Sequence, residues 1–306
     1  MFPPAVSHDR PAVSVYYRFR TIGNLEPYAR IRPEKEDLMM ELDHAEAGQV
    51  SASAAEIYDR EFVPALFGQF APMLVEAVRL KPGESVLDVA CGTGTVALAA
   101  EGHCGQDSRI AAVDINPGML AVARRKSPRI AWQEAAAEAL PFDDDTFDAT
   151  LCQFALMFFA DRTKALREMA RVTKPGGRIA ISVFESVERS PAYDRLVPLL
   201  GDVVGPKAAA ALSAPFCLGD PAAVTAELAA AGLTADEVRP CTGTARHASL
   251  DAWLDTEIGG WTLAEMVSAD QLGRIKEAAR DALGAHVGAD GSVAFPAPAR
   301  VLIIRP

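Results

Sequence analysis

A doubly wound α/β fold, with a mostly parallel sheet of seven strands and a helical cap, is what this 306-residue sequence predicts. Three observations carry the prediction. From Ser85 onward, short apolar runs alternate with amphipathic helix patterns, the signature of parallel strands covered by helices on both faces. The first of these runs passes through Gly92 and Gly94 directly into a helix pattern, the usual entry to a ligand-binding turn. Hydrophobic residues make up 50% of the chain, enough at this length to bury one large core, with or without a cap.

The strand-like runs are Ser85 to Ala90, Arg109 to Asp114, Ile130 to Gln133, Phe147 to Phe154 and Gly177 to Phe184. One helix between them is sharply marked. Asp161 suits its N-cap, Leu166, Met169 and Ala170 form its apolar stripe, and Lys174-Pro175-Gly176-Gly177 ends it, with Arg171 and Lys174 facing the negative end of its dipole. A Pro- and Ala-rich piece from Ser190 to Pro215 follows, then a helix pattern from Asp220 to Ala231 and a strand-like run from Asp236 to His247. A helical stretch from Leu250 to Leu283 precedes the last apolar run, Ala299 to Pro306. Segments inserted late in such a sheet lie over the carboxyl ends of the strands, so the insertions at about 190–218 and 248–290 read as a substrate cap on a domain covering residues 51–306. Residues 1–50 differ: Arg10, Arg18, Arg20, Arg30 and Arg32 precede an acidic run from Glu34 to Glu46. They read either as a leader or as an arm that closes Tyr16, Tyr17 and Phe19 over a ligand.

Composition narrows the partners. A formal net charge of −11 and a pI near 5.0 oppose nucleic-acid binding, which needs a basic face. The chain shows neither an export signal nor an apolar run long enough for a membrane span. Its five cysteines are scattered without a C-x-x-C pair, as expected of reduced thiols in a cytoplasm, and its five histidines are equally dispersed, with no metal-ligand spacing.

The glycine loop fits two classes of ligand. Gly92-x-Gly94-x-x-Ala97 satisfies the dinucleotide fingerprint, and Asp114 stands where a ribose-binding acid would. Asp88 separates the classes, because a carboxylate entering the loop repels pyrophosphate and attracts an ammonium. S-adenosylmethionine carries an ammonium and a sulfonium and no phosphate. Gly92 and Gly94, lacking a Cβ, allow close approach of its amino-acid part, and Asp114 accepts charge-assisted hydrogen bonds from both ribose hydroxyls. The competing roles are structural: Asp114 as a cap for the following helix, and Asp88 as an acceptor that orders the loop.

The segments "VLDVACGTG", "AVDINPGMLAVAR", "AEALPFDDDTFDATLCQFALMFF" and "ALREMARVTKPGGRIAISVF" resemble the successive motifs of class I S-adenosylmethionine-dependent methyltransferases. Within that fold family the likeness is to the ubiquinone and menaquinone biosynthesis C-methyltransferases, and it runs from about Ala54 to Phe184. It implies a Rossmann-like methyltransferase fold with S-adenosyl-L-methionine as cofactor. It also implies roles: Gly92, Thr93 and Gly94 along the methionine part, Asp114 at the ribose, and Ile115 and Met119 on the sides of the adenine. Ala137 and Glu138 stand at the adenine edge, Gln153 faces the reaction centre, and Tyr58 lies on an N-terminal helix over the cofactor. One departure is visible. Relatives often carry Gly-Asp-Ala where this chain has Ala135-Ala136-Ala137, which removes an adenine hydrogen bond of ~1 kcal/mol or more and leaves Glu134 or Glu138 to substitute.

Methyl transfer from a sulfonium needs alignment in a dry pocket, and a base only where the acceptor must lose a proton. His247, at the end of a strand-like run, is the candidate base, against the ordinary reading of a structural histidine. Phe154, Phe158, Phe159, Tyr193, Trp253 and Trp261 are the aromatics from which an acceptor site could be built, although Phe158 and Phe159 continue an apolar run and read as core. The partners expected are a small-molecule acceptor, aromatic or quinone-like, and a second copy of the chain in a homodimer. Two rival functions differ in class. A nicotinamide-dependent oxidoreductase conflicts with Asp88 and lacks a Ser and Tyr-x-x-x-Lys set after the fourth strand; a non-catalytic binding protein of the same fold fits the Ala136 departure.

Overall fold

The computed structural model describes residues 52–259 and 262–306; the arm of residues 1–50 and Trp261 lie outside the described residues. Among the described residues, seven strands form one sheet in the order β3-β2-β1-β4-β5-β7-β6. They are β1 (Ser85–Val89), β2 (Arg109–Asp114), β3 (Ala131–Glu134), β4 (Phe147–Gln153), β5 (Thr173–Phe184), β6 (Glu237–His247) and β7 (Val293–Ile304). The ladders joining β1 to β5 are parallel, and β7 is antiparallel to both β5 and β6. Strand order reverses between β1 and β4, so the crevice where ligands settle in such sheets opens at their carboxyl ends.

The described residues open with α1 (Ala52–Ile57), a π-helical turn (Tyr58–Phe62), α2 (Val63–Ala65) and α3 (Phe70–Ala77). The sheet helices are α4 (Thr95–Cys104), α5 (Pro117–Arg124) and α6 (Arg162–Val172), followed by α7 (Pro191–Val203), α8 (Pro206–Ser213) and α9 (Pro221–Ala231), and then by α10 (Leu250–Gly259) and α11 (Ala269–Leu283). Period-two alternation sorts β1 between the two faces. Val86 packs with Leu74, Val96 and Ala97 of α3 and α4, whereas Leu87 and Val89 pack with Ile179, Leu166 and Met169 on the face of α6. Leu166 and Met169 are fully buried, each contributing about 1.5–3 kcal/mol of apolar burial.

Local signals place the helix starts. Asp161 accepts from the Lys164 N–H at 2.9 Å, Asp220 accepts from Ala222, and Asn116 accepts from Gly118 and Met119. Three expectations need correction. The stretch from Leu250 to Leu283 is two helices, because Ser268 and Gln271 form a capping box that starts α11 afresh. Lys174 lies in β5, which already begins at Thr173, and it pairs with Asp148 at 2.8 Å instead of serving a helix end. β7 begins at Val293, six positions before the expected Ala299.

That early start creates a ribbon. Phe184, the last residue of β5, lies opposite Ala299, yet β6 and β7 stay paired as far as His247 opposite Val293. A two-stranded extension therefore rises past the carboxyl edge of the sheet, with α10 and α11 inserted at its tip. Pro296 and Pro298 cost it no ladder bond. The Pro298 carbonyl accepts from Glu185 on the β5 side, so both proline nitrogens face the side where β5 has ended.

At the base of the ribbon the N-terminal helices cross to β6. Gln69 uses its amide like a strand, donating to the Thr244 carbonyl at 3.0 Å and accepting from the Thr244 N–H at 2.8 Å. Gly243 permits this, since a Cβ there would stand 2.5 Å from the ring of Phe70.

Candidate functional site

The glycine loop leaves β1 through alternating left-handed residues: Ala90 at φ 55°, Gly92 at 54° and Gly94 at 89°. A turn from the Gly94 N–H to the Cys91 carbonyl, 2.8 Å, closes it, and Gly94 caps α4. The two glycines do different work. A Cβ on Gly92 would meet nothing within 4 Å, so this backbone is open to an approaching molecule. A Cβ on Gly94 would stand 2.5 Å from Cη2 of Trp132, a ring anchored on β3 by its N–H bond to the Ser127 carbonyl at 2.9 Å. The space that the missing Gly94 side chain leaves is therefore taken by Trp132, while the Gly94 backbone stays part of the loop.

Asp114 ends β2 with its carboxylate clamped between loops. Oδ2 accepts from the Gly92 N–H at 2.7 Å and Oδ1 from the Asn116 N–H at 2.8 Å. A carboxylate offers about four acceptor positions, so capacity for a hydroxyl donor remains beside these backbone N–H groups and that of Ile115. Burial pushes its pKa up, against the opposing effect of the backbone N–H bonds. Tyr58 lies beside it: its ring stacks on Phe67 at 5.5 Å, and burial together with the Asp114 charge raises its phenol far above the usual range. Met119 and Val122 of α5 pack with Ala55 and Tyr58. Lys126 ties the assembly together, donating to the Thr93 carbonyl at 2.9 Å and pairing with Asp59 on the π-helical turn. π turns concentrate at functional sites, and this one holds Tyr58 over the loop.

Asp88 does not reach the ligand side. The alternation that buries Val86 under α4 turns Asp88 the same way, and its Oδ2 accepts from the Ala97 N–H at 2.9 Å. Only 1% exposed, it is pushed up to about 8, mainly by burial. The ammonium-attracting role read from the sequence is thus corrected to one of ordering the start of α4. Because the folded pKa exceeds that of the unfolded chain, Asp88 favours the folded state in its protonated form, and that stabilisation declines as pH rises through about 8. Asp88→Asn, which keeps the acceptor, is expected to become more stable relative to the wild type as pH rises from 5 to 8 in urea-unfolding series. Asp88→Ala leaves the Ala97 N–H without its acceptor and is expected to be about 1–3 kcal/mol less stable than Asp88→Asn at every pH.

The remaining candidates divide. Gln153 ends β4, donates to the Phe67 carbonyl at 3.2 Å, and leaves its buried Oε1 without a partner among the described residues. The buried Oγ1 of Thr93 is likewise unpartnered. Ile115 is 61% exposed beside Asp114, an apolar face free for a planar group. Ala137 is buried, while the carboxylate of Glu138 accepts from the Ala160 and Asp161 N–H groups and is committed to the start of α6. Glu134, exposed and directly opposite Asp114 in the ladder, is the carboxylate left at the adenine edge.

His247 stands elsewhere. It lines a cleft of about 300 Å³ with Glu61, Pro64, Arg246 and Thr256, on the outer side of the N-terminal helices. Phe62 of the same helical turn is buried, and Tyr58 is half-buried against Ala55 and Met119. Burial lowers the His247 pKa, opposed by Glu61. The structure does not bring this histidine to the glycine loop or to Gln153. Among the described residues, no group of three His, Cys, Asp or Glu side chains is placed to hold a metal ion.

Residues 87–181, from β1 into β5, match the family model described as a methyltransferase domain. Over these residues the chain is similar to methyltransferase domains. Relatives are similar over part of the chain: the demethylmenaquinone methyltransferase of Renibacterium salmoninarum is 43% identical over 112 residues, 37% of this chain and 46% of that one. The ubiquinone/menaquinone biosynthesis C-methyltransferase UbiE of Geobacter sulfurreducens is 43% identical over 128 residues, 40% of this chain and 50% of that one. The chain spans about half the length of the curated relatives it matches. The fold extends further than this sequence likeness. YcgJ protein from Bacillus subtilis, 23% identical, superposes with a TM-score of 0.53 over 78% of this chain and 98% of its own. The matched segment thus contains the glycine loop, Asp114 and Gln153, while the insertions after β5 and β6 lie outside it.

Proposed function

We propose that this chain transfers a methyl group from S-adenosylmethionine to a small aromatic acceptor. One observation carries the reading: the open backbone of Gly92 is bonded to a clamped Asp114 carboxylate, and the buried oxygens of adjoining Thr93 and of Gln153, at the end of the neighbouring strand β4, have no partner among the described residues. A buried acceptor without a donor is costly, and a ligand rich in hydroxyl and ammonium donors removes that cost. The residues fit the cofactor on these grounds. Gly92 and Thr93 would hold its amino-acid part, Asp114 its ribose, Ile115 and Met119 its adenine with Glu134 at the edge, and Gln153 the methyl-bearing end. When bound it supplies an electrophilic methyl group, whose C–S bonding pair returns to sulfur on transfer.

The chain's own contribution is to align and to dry the site. Tyr58 and Phe67 cover the loop from the N-terminal side, and Phe154, held at φ 50° after Gln153, turns its ring onto Phe184. We assign the segments after β5 and β6, about 190–218 and 248–290, to the acceptor cap. No helix of the described residues is long and apolar enough to cross a membrane, and the buried free thiols of Cys91, Cys104 and Cys152 suit a reducing cytoplasm. With Asp88 turned away from the loop, the match to the methyltransferase domain now argues against a nicotinamide cofactor.

Isothermal calorimetry is expected to show binding of S-adenosylhomocysteine and none of NADH. Labelled methyl donor with a panel of hydroquinones and catechols should then yield a methylated product. Binding of NADH in place of S-adenosylhomocysteine would overturn the assignment.

A further inference from the structure

An aromatic wall runs from the end of β4 into both insertions. Phe154 stacks on Phe184 with centroids 4.0 Å apart, Phe184 meets Phe216 at 5.5 Å, and Phe216 meets Tyr193 at 4.9 Å. Tyr193 stands edge-on to Trp253 at 5.8 Å. The wall thus begins one residue after Gln153, whose unpartnered oxygen marks the methyl-donor end of the site. At its far end the Tyr193 hydroxyl, on α7, donates to Oε1 of Glu257, on α10, at 2.7 Å.

Glu257 is out of place by ordinary packing rules. It is buried among rings, and among the described residues no cation pairs with it. The indole N–H of fully buried Trp253 approaches the same carboxylate without completing a hydrogen bond. A link between α7 and α10 could be made by a neutral glutamine of the same shape at lower desolvation cost. The position holds an acid instead, and buried unpaired acids are characteristic of proton transfer.

We propose that Tyr193 and Glu257 form a relay that removes the hydroxyl proton of an aromatic acceptor lying along Phe184 and Phe216. The assignment rests on the methyl-transfer reading of the neighbouring site. Tyr193 is the catalytic residue, touching the acceptor; Glu257 acts through it as a positioning residue and final proton holder. In the step, the acceptor O–H bond breaks and its proton bonds to the Tyr193 oxygen. The proton already on Tyr193 passes to Oε1 of Glu257, and the electron pair left on the acceptor oxygen, shared with the ring, becomes the nucleophile for the methyl group. No oxidant or reductant is needed. Burial raises the Tyr193 phenol far above its usual range, so it does not stand as a free phenolate and must pass its proton on as it receives another. Glu257, pushed up to about 7 by burial, is present in both forms near neutral pH and can load and unload.

The test uses the full chain with S-adenosylhomocysteine and 3-nitrophenol, whose visible phenolate band reports deprotonation without turnover. Near neutral pH, where the free compound is mostly neutral and Glu257 is still able to accept a proton, the wild-type complex is expected to show the phenolate band. Glu257→Gln is expected to lower the bound phenolate fraction at least fivefold, with S-adenosylhomocysteine affinity within twofold of wild type. Tyr193→Phe, which keeps the ring against Phe216 and Trp253, should do the same and serves if the glutamine variant does not fold. A phenolate band unchanged in either variant, or no binding of 3-nitrophenol to a wild-type chain that does bind S-adenosylhomocysteine, would overturn the relay. Failure of the wild type to bind S-adenosylhomocysteine would overturn the methyl-transfer reading instead.

Discussion

Gly94→Val is expected to destabilise the folded chain by roughly 3–5 kcal/mol, the combined cost of overpacking against a fixed ring and of a β-branched residue at positive φ. The new Cβ would stand 2.5 Å from Trp132, which its bond to Ser127 keeps from swinging aside. Urea unfolding measures the loss. Adding Trp132→Ala should return part of it, because the clash disappears while the strained φ of 89° remains. Gly92→Val makes the contrast: with nothing within 4 Å of its Cβ, it should fold with a smaller penalty and lose S-adenosylhomocysteine affinity. If Gly94→Val melts like wild type, the packing assigned to Trp132 is wrong.

Asp114→Ala has the second-largest expected effect, on two observables together. The Gly92 and Asn116 N–H groups lose their common acceptor, a stability cost of about 2–4 kcal/mol that depends on how far water reaches them. Cofactor affinity is expected to fall by on the order of tenfold or more, since a charged acceptor for the ribose is gone and the Gly92 loop is no longer held in place. Calorimetry with S-adenosylhomocysteine at a temperature well below the variant's melting point separates the two losses. An unchanged dissociation constant would remove Asp114 from the ribose site.

Strands and helix starts were legible in the sequence wherever a local rule decides them. Apolar runs under helix-period neighbours, and Asp161 or Asp220 before a helix, need nothing from the rest of the chain. The first half of β7 was hidden because Val293 to Pro298 carries two prolines, which argue against a strand until it is known that β5 ends beside them. Asp88 was misassigned although its signal was present: alternation from Val86 already placed it on the α4 face. Trp132 at Gly94, Lys126 bridging to Asp59, and Tyr193 with Glu257 join residues far apart in the chain, and such pairings follow from the packing of elements rather than from spacing. His247 drew attention by its place at a strand end. The strand proved to lie at the sheet margin, on the outer side of the N-terminal helices.

The ribbon of β6 and β7 has an evolutionary consequence. His247 and Val293 face each other across its tip, so the polypeptide departs and returns at adjoining positions. Whatever is spliced between them leaves the register of the ladder below intact, and lengthening a loop whose ends are already fixed adds only about 0.6 kcal/mol of closure entropy per doubling. A module at this tip is thereby uncoupled from the strands beneath it. It can be exchanged wholesale, and chimeras joined at these two residues are the natural way to graft one insertion in place of another.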